Sequence, residues 1–411
     1  MNPSPANRQS SSLRAVHLDS LRGLAAMMVV TAHFLAAFYP WAVFADGSRA
    51  GSAAALATFS RHYGWEGLFH WPPLSLFTAG HFAVCLFFVL SGYVLSVSFI
   101  GSQSRWPGIV GAIIKRPFRL LGLAIMSLLV GALLWSSGLL WHREVAELSG
   151  AGRWLNMFWA GEFDWSVFWR TLLTGKAGSE YNPPLWTIKI EVIGSFLVFF
   201  TLLAINWMPR LARLLALLAL LIATLGTYYD GFALGMLFAQ LFKADQPGLN
   251  GVYPETPAWR PGPASAGALV AVVVLLAAYP YYAAPTLLPD WTLITRHVSM
   301  ASAAVVFLII HRTLAWRAWL SHRWLVKLGE WSYAIYVLHF LLMASLTSWI
   351  VVTATPMIGY GPATIVAALV SLPCLMILSM LANQWIDKPS IAAGRWVERH
   401  GLRLIPRRVA S

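Results

Sequence analysis

The sequence predicts an all-α fold, a polytopic bundle of about ten transmembrane helices with both termini cytoplasmic. Three observations predict it. The 411-residue chain is 58% hydrophobic and only 11% charged, with a mean hydropathy of +0.64. A soluble domain carries about 25% charged residues, so this chain lacks the polar surface to face water. Several apolar runs approach or exceed the roughly 18 to 20 residues that a helix needs to cross hydrocarbon. Threaded as alternating spans, the chain places 21 of its 29 Lys and Arg residues on one side or its border, the bias expected of cytoplasmic segments. The net charge of +13 is therefore read as orientation and contact with anionic lipid headgroups, not as a nucleic-acid footprint.

In chain order, residues 1–17 are polar and basic, and no small-residue cleavage site follows the first apolar run. They are read as an uncleaved cytoplasmic tail. Spans are expected at 21–40, 80–100, 118–140, 184–205, 211–228, 230–242, 265–283, 291–311, 325–349 and 361–386. The sixth, DGFALGMLFAQLF, is short for a bilayer and reads as a tilted or partly re-entrant helix. The outer segments 41–79 and 141–183 are long, Trp-rich and of mixed charge. Their aromatics are expected in an interfacial belt, with a sugar-stacking platform as the rival reading. The Pro- and Gly-rich segment 243–264 reads as an inner loop. One membrane domain, 18–390, and a basic cytoplasmic tail, 391–411, complete the organisation. Cys85 and Cys374 both fall inside spans, so they read as buried apolar residues rather than a disulfide framework.

A charge inside a membrane costs several kcal/mol, so each intramembrane ionisable residue is a candidate site residue. In LDSLRGLAAMMVVTAHF, residues 18–34, eleven positions separate Arg22 from His33. On a helix that is three turns plus about 20°, so the two share a face about 16 Å apart along the axis. Arg22 stands at the cytoplasmic boundary, where a snorkelling anchor is the plain alternative to an anion contact. His33 stands near mid-bilayer, where an interhelical hydrogen bond is the plain alternative to a proton acceptor. His339 lies about 18 Å into its helix from Lys327, and Glu191 about 10 Å below the outer surface near Pro184. In a core about 30 Å thick, His33, His339 and Glu191 are expected in one layer. Lys189 is a second charge beside Glu191, but i and i+2 do not face each other on a helix, so its partner is expected elsewhere.

Histidine takes and returns a proton near neutrality, and a buried carboxylate can orient the ring and stabilise the imidazolium. No G-x-S-x-G serine is present, and a metal site would need more converging ligands than these. General-base activation of an acceptor hydroxyl is the preferred chemistry, with His33 and Glu191 as the catalytic pair. At the inner face, IIKRPFRLLG sets Arg116 and Arg119 at i, i+3 on one side of a helix start. Planar guanidinium forks suit phosphate, although plain topology also makes cytoplasmic loops basic. With Arg22, the three arginines are expected to grip an anionic donor whose far end reaches His33. A span of about 16 Å suits a long thioester carrier such as acyl-CoA. No tightly bound cofactor is expected.

HLDSLRGLAAMMVVTAHF, AVCLFFVLSGYVLS, KRPFRL, NPPLWTIKIEV and SYAIYVLHF together resemble the acyltransferase-3 family of integral membrane acyltransferases, over about residues 20–390. The resemblance implies about ten helices and transfer of an acyl group, commonly acetyl from acetyl-CoA, to hydroxyls on surface polysaccharides, lipid-linked sugars, peptidoglycan or small natural products. By position it implies His33 as the catalytic histidine, Arg22 as its partner, Arg116 and Arg119 as the donor-associated pair, and Glu191 as the acidic residue after the Leu-Trp motif. Asp19, Ser91, Gly92, Tyr93, Tyr333 and His339 fall in family-like motifs, with core packing the preferred reading of the two tyrosines. The expected location is a bacterial inner membrane. A proton-coupled transporter or flippase using intramembrane His and Glu is the alternative, and the inverted repeat that would favour it is not seen in the sequence.

Overall fold

A computed structural model describes residues 16–44, 59–101, 106–176, 178–242, 262–282 and 291–401. The expected N-terminal tail up to residue 15, most of the inner loop and the chain beyond residue 401 lie outside the described residues. Among the described residues there is no strand. The longer helices are α1 (Val16–Phe38), α2 (Gly80–Val97), α3 (Trp106–Ser136), α4 (Leu185–Ile205), α5 (Arg210–Thr224), α6 (Tyr229–Leu241), α7 (Pro263–Tyr282) and α8 (Trp291–Arg312). They are followed by α9 (Arg323–Ile358) and α10 (Tyr360–His400).

Among the described residues, α1 to α4, α9 and α10 are the six helices long and apolar enough to cross a membrane. α5 and α6, at 15 and 13 residues, rise only about 22 and 20 Å, short of a core about 30 Å thick. Apolar side chains face outward where a soluble protein would be polar: Phe200 on α4, Leu211 and Ile222 on α5, and Leu369 and Ile377 on α10 are all exposed. The chain is a multi-pass, all-helical membrane protein.

Three helices run further than their apolar runs suggest. α3 begins at Trp106, twelve residues before the expected span, and continues through Pro117. Proline removes one backbone donor from the helix, and neighbouring groups can satisfy the freed carbonyl in a membrane bundle. α9 and α10 are 36 and 41 residues long. The expected tail begins as helix: residues 391–400 are the last turns of α10. Lys115 of α3 holds Glu398 at 2.7 Å there.

The bundle centre is built from α1, α2 and α9. α1 and α9 approach until Gly23 and Gly329 leave no room for a side chain. A Cβ on Gly329 would lie 2.3 Å from the Asp19 carbonyl oxygen, and one on Gly23 would lie 2.7 Å from the Gly329 nitrogen. Small residues permit such approach between membrane helices. Two single-turn π segments interrupt the late helices, Met343–Thr347 in α9 and Asn383–Asp387 in α10. Such bulges occur frequently at functional sites.

The outer segments form a cap over one end. Short helices Pro40–Phe44, Gly64–His70, His142–Ser149 and Gly152–Leu155 assemble around a second small core, whereas Trp165–Leu173 packs through Phe168 and Leu172 onto the main one. Phe38, Val145, Leu155, Trp159 and Phe340 belong to it. The interfacial belt is therefore only part of the story: Trp71, Trp165 and Trp169 are exposed, whereas Trp159 and Phe168 are fully buried. His142 packs against Trp159 at 5.1 Å between ring centroids. Burial, reinforced by Arg143, pushes its pKa down to about 4, so this cap histidine is neutral at pH 7.

Candidate active site

A cavity of about 400 Å³ opens among α1, α2, α3, α4, α9 and α10. Arg22, Arg116 and Arg119 all line it, as expected of a shared anion site, together with Asp19, Ser91, Glu191 and Tyr333. Residues that the sequence did not single out complete the wall: Glu330 and Tyr336 from α9, and Asn383, Asp387, Lys388 and Arg395 from α10. Five cationic residues thus face four carboxylates. The site is not a bare cluster of arginines.

Arg116 and Arg22 are held by specific partners. Arg116, 8% exposed, donates from Nε to Ser195 Oγ at 2.7 Å and pairs through Nη2 with Glu191 Oε1. Ser195 and Glu191 stand one turn apart on α4, and the Ser195 hydroxyl donates to the Glu191 carbonyl at 2.5 Å. Arg22 donates from Nη2 to Ser91 Oγ at 3.3 Å and lies 3.9 Å from Asp19 Oδ1. Tyr333 donates its hydroxyl to the Leu120 carbonyl. Asn383 donates to the Glu330 carbonyl at 3.0 Å and to Asp387 Oδ2 at 3.3 Å, so the second π segment forms part of the cavity wall.

The layer of two imidazoles and a carboxylate needs correcting. The imidazoles do meet: His33 Nδ1 lies 2.8 Å from His339 Nε2, with the rings within 5° of parallel. Glu191 belongs instead to the arginine cavity. The chain before α4 does not run along the outer surface; Tyr181 and Asn182 are buried, and Asn182 donates to the Val337 carbonyl at 2.8 Å. α4 therefore starts inside the bundle. Thr187 bonds Tyr336 at 2.8 Å, one turn short of His339. Glu191 lies another turn beyond Thr187 in the opposite direction, about 10 Å from the level of the imidazoles.

Neither His33 nor His339 lines the 400 Å³ cavity. Tyr336 touches both sites: it lines the cavity and packs on the His339 ring at 5.9 Å. His339 borders a second cavity of about 340 Å³, walled mainly by apolar side chains of α1, α9 and α10. Lys189 is exposed on α4 and makes no ion pair among the described residues. Tyr93 turns away from the cavity and bonds His311 Nε2 at 3.0 Å, the core role preferred from sequence. A continuous α1 keeps Arg22 in the cavity and His33 in the imidazole pair, about 16 Å apart along one face.

A family model described as an acyltransferase domain, Acyl_transf_3, matches residues 16–382. The chain belongs to that family. This Acyl_transf_3 chain is 26% identical over 406 residues to "Acyltransferase R4" of Phoma sp., covering 82% of this chain and 83% of the relative. It is 28% identical over 275 residues to "Acyltransferase clz18" of Cochliobolus lunatus, covering 56% and 55% of the two chains. No solved structure matches. Membership makes the protein an enzyme of acyl transfer, acting on an acyl donor and an acceptor. The Acyl_transf_3 match ends at residue 382, whereas the cavity wall continues through Lys388 and Arg395.

Proposed function

We propose that the protein is a membrane O-acyltransferase moving an acyl group, acetyl in the simplest case, from cytoplasmic acyl-CoA to a hydroxyl of a surface polysaccharide or lipid-linked sugar. On this reading the chain threads the membrane about ten times, with the short α5 and α6 tilted or partly re-entrant, and both termini are cytoplasmic, in a bacterial inner membrane. Donor phosphates sit among Arg22, Arg116, Arg119, Lys388 and Arg395, while the carboxylates limit how much positive charge is left uncompensated without donor.

His33 acts as general base. The acceptor O–H bond breaks as its proton passes to His33, the oxygen attacks the thioester carbonyl, and the C–S bond breaks. The proton then leaves His33 for the departing thiolate. Glu191 serves the donor site by holding Arg116. The observation that carries this reading is α1, which joins an arginine in the polar cavity to a half-buried imidazole on the same face, about 16 Å on.

The test uses purified protein in detergent with labelled acyl-CoA and candidate acceptors. His33→Ala is expected to lower transfer at least about 10³-fold, with monodispersity and melting temperature retained. Wild-type turnover by this variant would remove His33 from the mechanism. Product formation without a sealed compartment also separates this enzyme from a transporter.

A further inference from the structure

We infer that His339 is a positioning residue that sets the tautomer of His33 and leaves His33 Nε2 as that ring's proton acceptor. The inference rests on the proposed role of His33 as base and specifies which atom performs it.

His339 Nδ1 lies 2.8 Å from the Tyr336 carbonyl oxygen and 3.2 Å from that of Ile335. Carbonyl oxygens only accept, so the hydrogen of this contact sits on His339 Nδ1. A neutral imidazole has one N–H and one lone pair, which places the His339 lone pair on Nε2. That nitrogen faces His33 Nδ1 at 2.8 Å. The hydrogen between the rings therefore belongs to His33 Nδ1, and the remaining His33 lone pair is on Nε2. The near-parallel planes, 5° apart, suit a hydrogen bond lying in both rings.

The surroundings hold this arrangement. Phe340 meets the His33 ring edge-on at 5.2 Å and Trp154 packs at 5.9 Å. When His33 Nε2 takes the acceptor's proton, the ring becomes cationic. Its Nδ1–H bond to His339 then becomes charge-assisted and strengthens as the charge develops. His339 thus does with a neutral ring what a carboxylate does in a hydrolase triad. Two backbone carbonyls orient it.

The experiment compares His339→Ala and His339→Gln in the full-length protein, with ¹⁵N-histidine NMR on the wild type. Gln offers Oε1, an acceptor that substitutes for Nε2. His339→Ala is expected to lower kcat about 10²-fold with donor KM changed less than about twofold, and His339→Gln to recover about tenfold of that loss. The ¹⁵N shifts of His33, assigned by difference from His33→Ala, are expected to show a protonated Nδ1 and a bare Nε2. Wild-type kcat in His339→Ala, no recovery in His339→Gln, or a protonated Nε2 on His33 would each overturn the inference. If His33→Ala itself retains turnover, the base reading fails instead, and the NMR still decides the tautomer.

Discussion

Arg116, itself buried, reaches α4 twice, through Nε to Ser195 in a buried contact and through Nη2 to the half-buried Glu191. Removing one member of a buried pair leaves a charge uncompensated, typically at a cost of about 3–5 kcal/mol, whereas replacing both with apolar groups is often neutral. Glu191→Ala is therefore expected to lower the melting temperature by several degrees and raise donor KM. The Arg116→Met/Glu191→Met double variant should regain the stability but not the donor affinity. A Glu191→Ala protein with native stability and donor KM but reduced kcat would instead return Glu191 to the imidazoles. Thermal melts and steady-state kinetics check this. Arg22 with His33, and Arg116 with Arg119, were legible in the sequence as two pairs, because helical spacing sets each pair on one face of its own helix. Sequence places Glu191 in the right span but beside the wrong neighbours, because a depth counted from Pro184 puts that proline at the surface, whereas α4 starts among buried residues. Lys388 and Arg395 were absorbed by the general rule that inner segments are basic.

At the scale of helices, hydropathy reports where a segment is apolar, not where it stops. Each expected apolar run falls on one of the longer described helices, yet α3, α9 and α10 overrun theirs, because amphipathic ends such as 388–400 lie outside any apolar window. Nor does an apolar run say which faces meet. The α1–α9 contact rests on Gly23 and Gly329, and a methyl group on either would meet backbone atoms at less than 3 Å, where no side chain can yield. Gly329→Ala must push the helices apart, at a cost of about 1–3 kcal/mol for overpacking. Since His33 and His339 ride on these same helices, their 2.8 Å contact should open as well. The expected outcome is a lower melting temperature together with a kcat loss of at least about tenfold. Gly267→Ala on α7, with open space around its Cβ position, is the control and should leave both unchanged. Full turnover in Gly329→Ala would mean that the helix contact does not position the imidazoles.

Over the whole molecule, the polar cavity and the imidazole pair are two compartments with Tyr336 touching both. Its hydroxyl takes part in a 2.8 Å bond with Thr187, and Phe87 packs against its ring at 5.9 Å. All three side chains line the cavity, and Tyr336 also packs on the His339 ring. A donor held by its phosphates near Arg22 must bring its thioester about 16 Å along α1, past Tyr336, before His33 can act. Breaking one neutral hydrogen bond costs only about 0.5–1.5 kcal/mol, so swinging Tyr336 aside is a small demand beside the binding energy of a multiply charged donor. A bulkier ring there should stop the thioester without disturbing the phosphate contacts. Tyr336→Trp is accordingly expected to bind acyl-CoA within about twofold of wild type in a calorimetric titration while losing at least about 10²-fold in transfer. Tyr336→Phe, which keeps the ring and drops only the hydroxyl, should transfer at close to the wild-type rate. If Tyr336→Trp transfers normally, the thioester reaches His33 by a route that avoids this constriction, and the line from Arg22 along α1 is not the path of the acyl group.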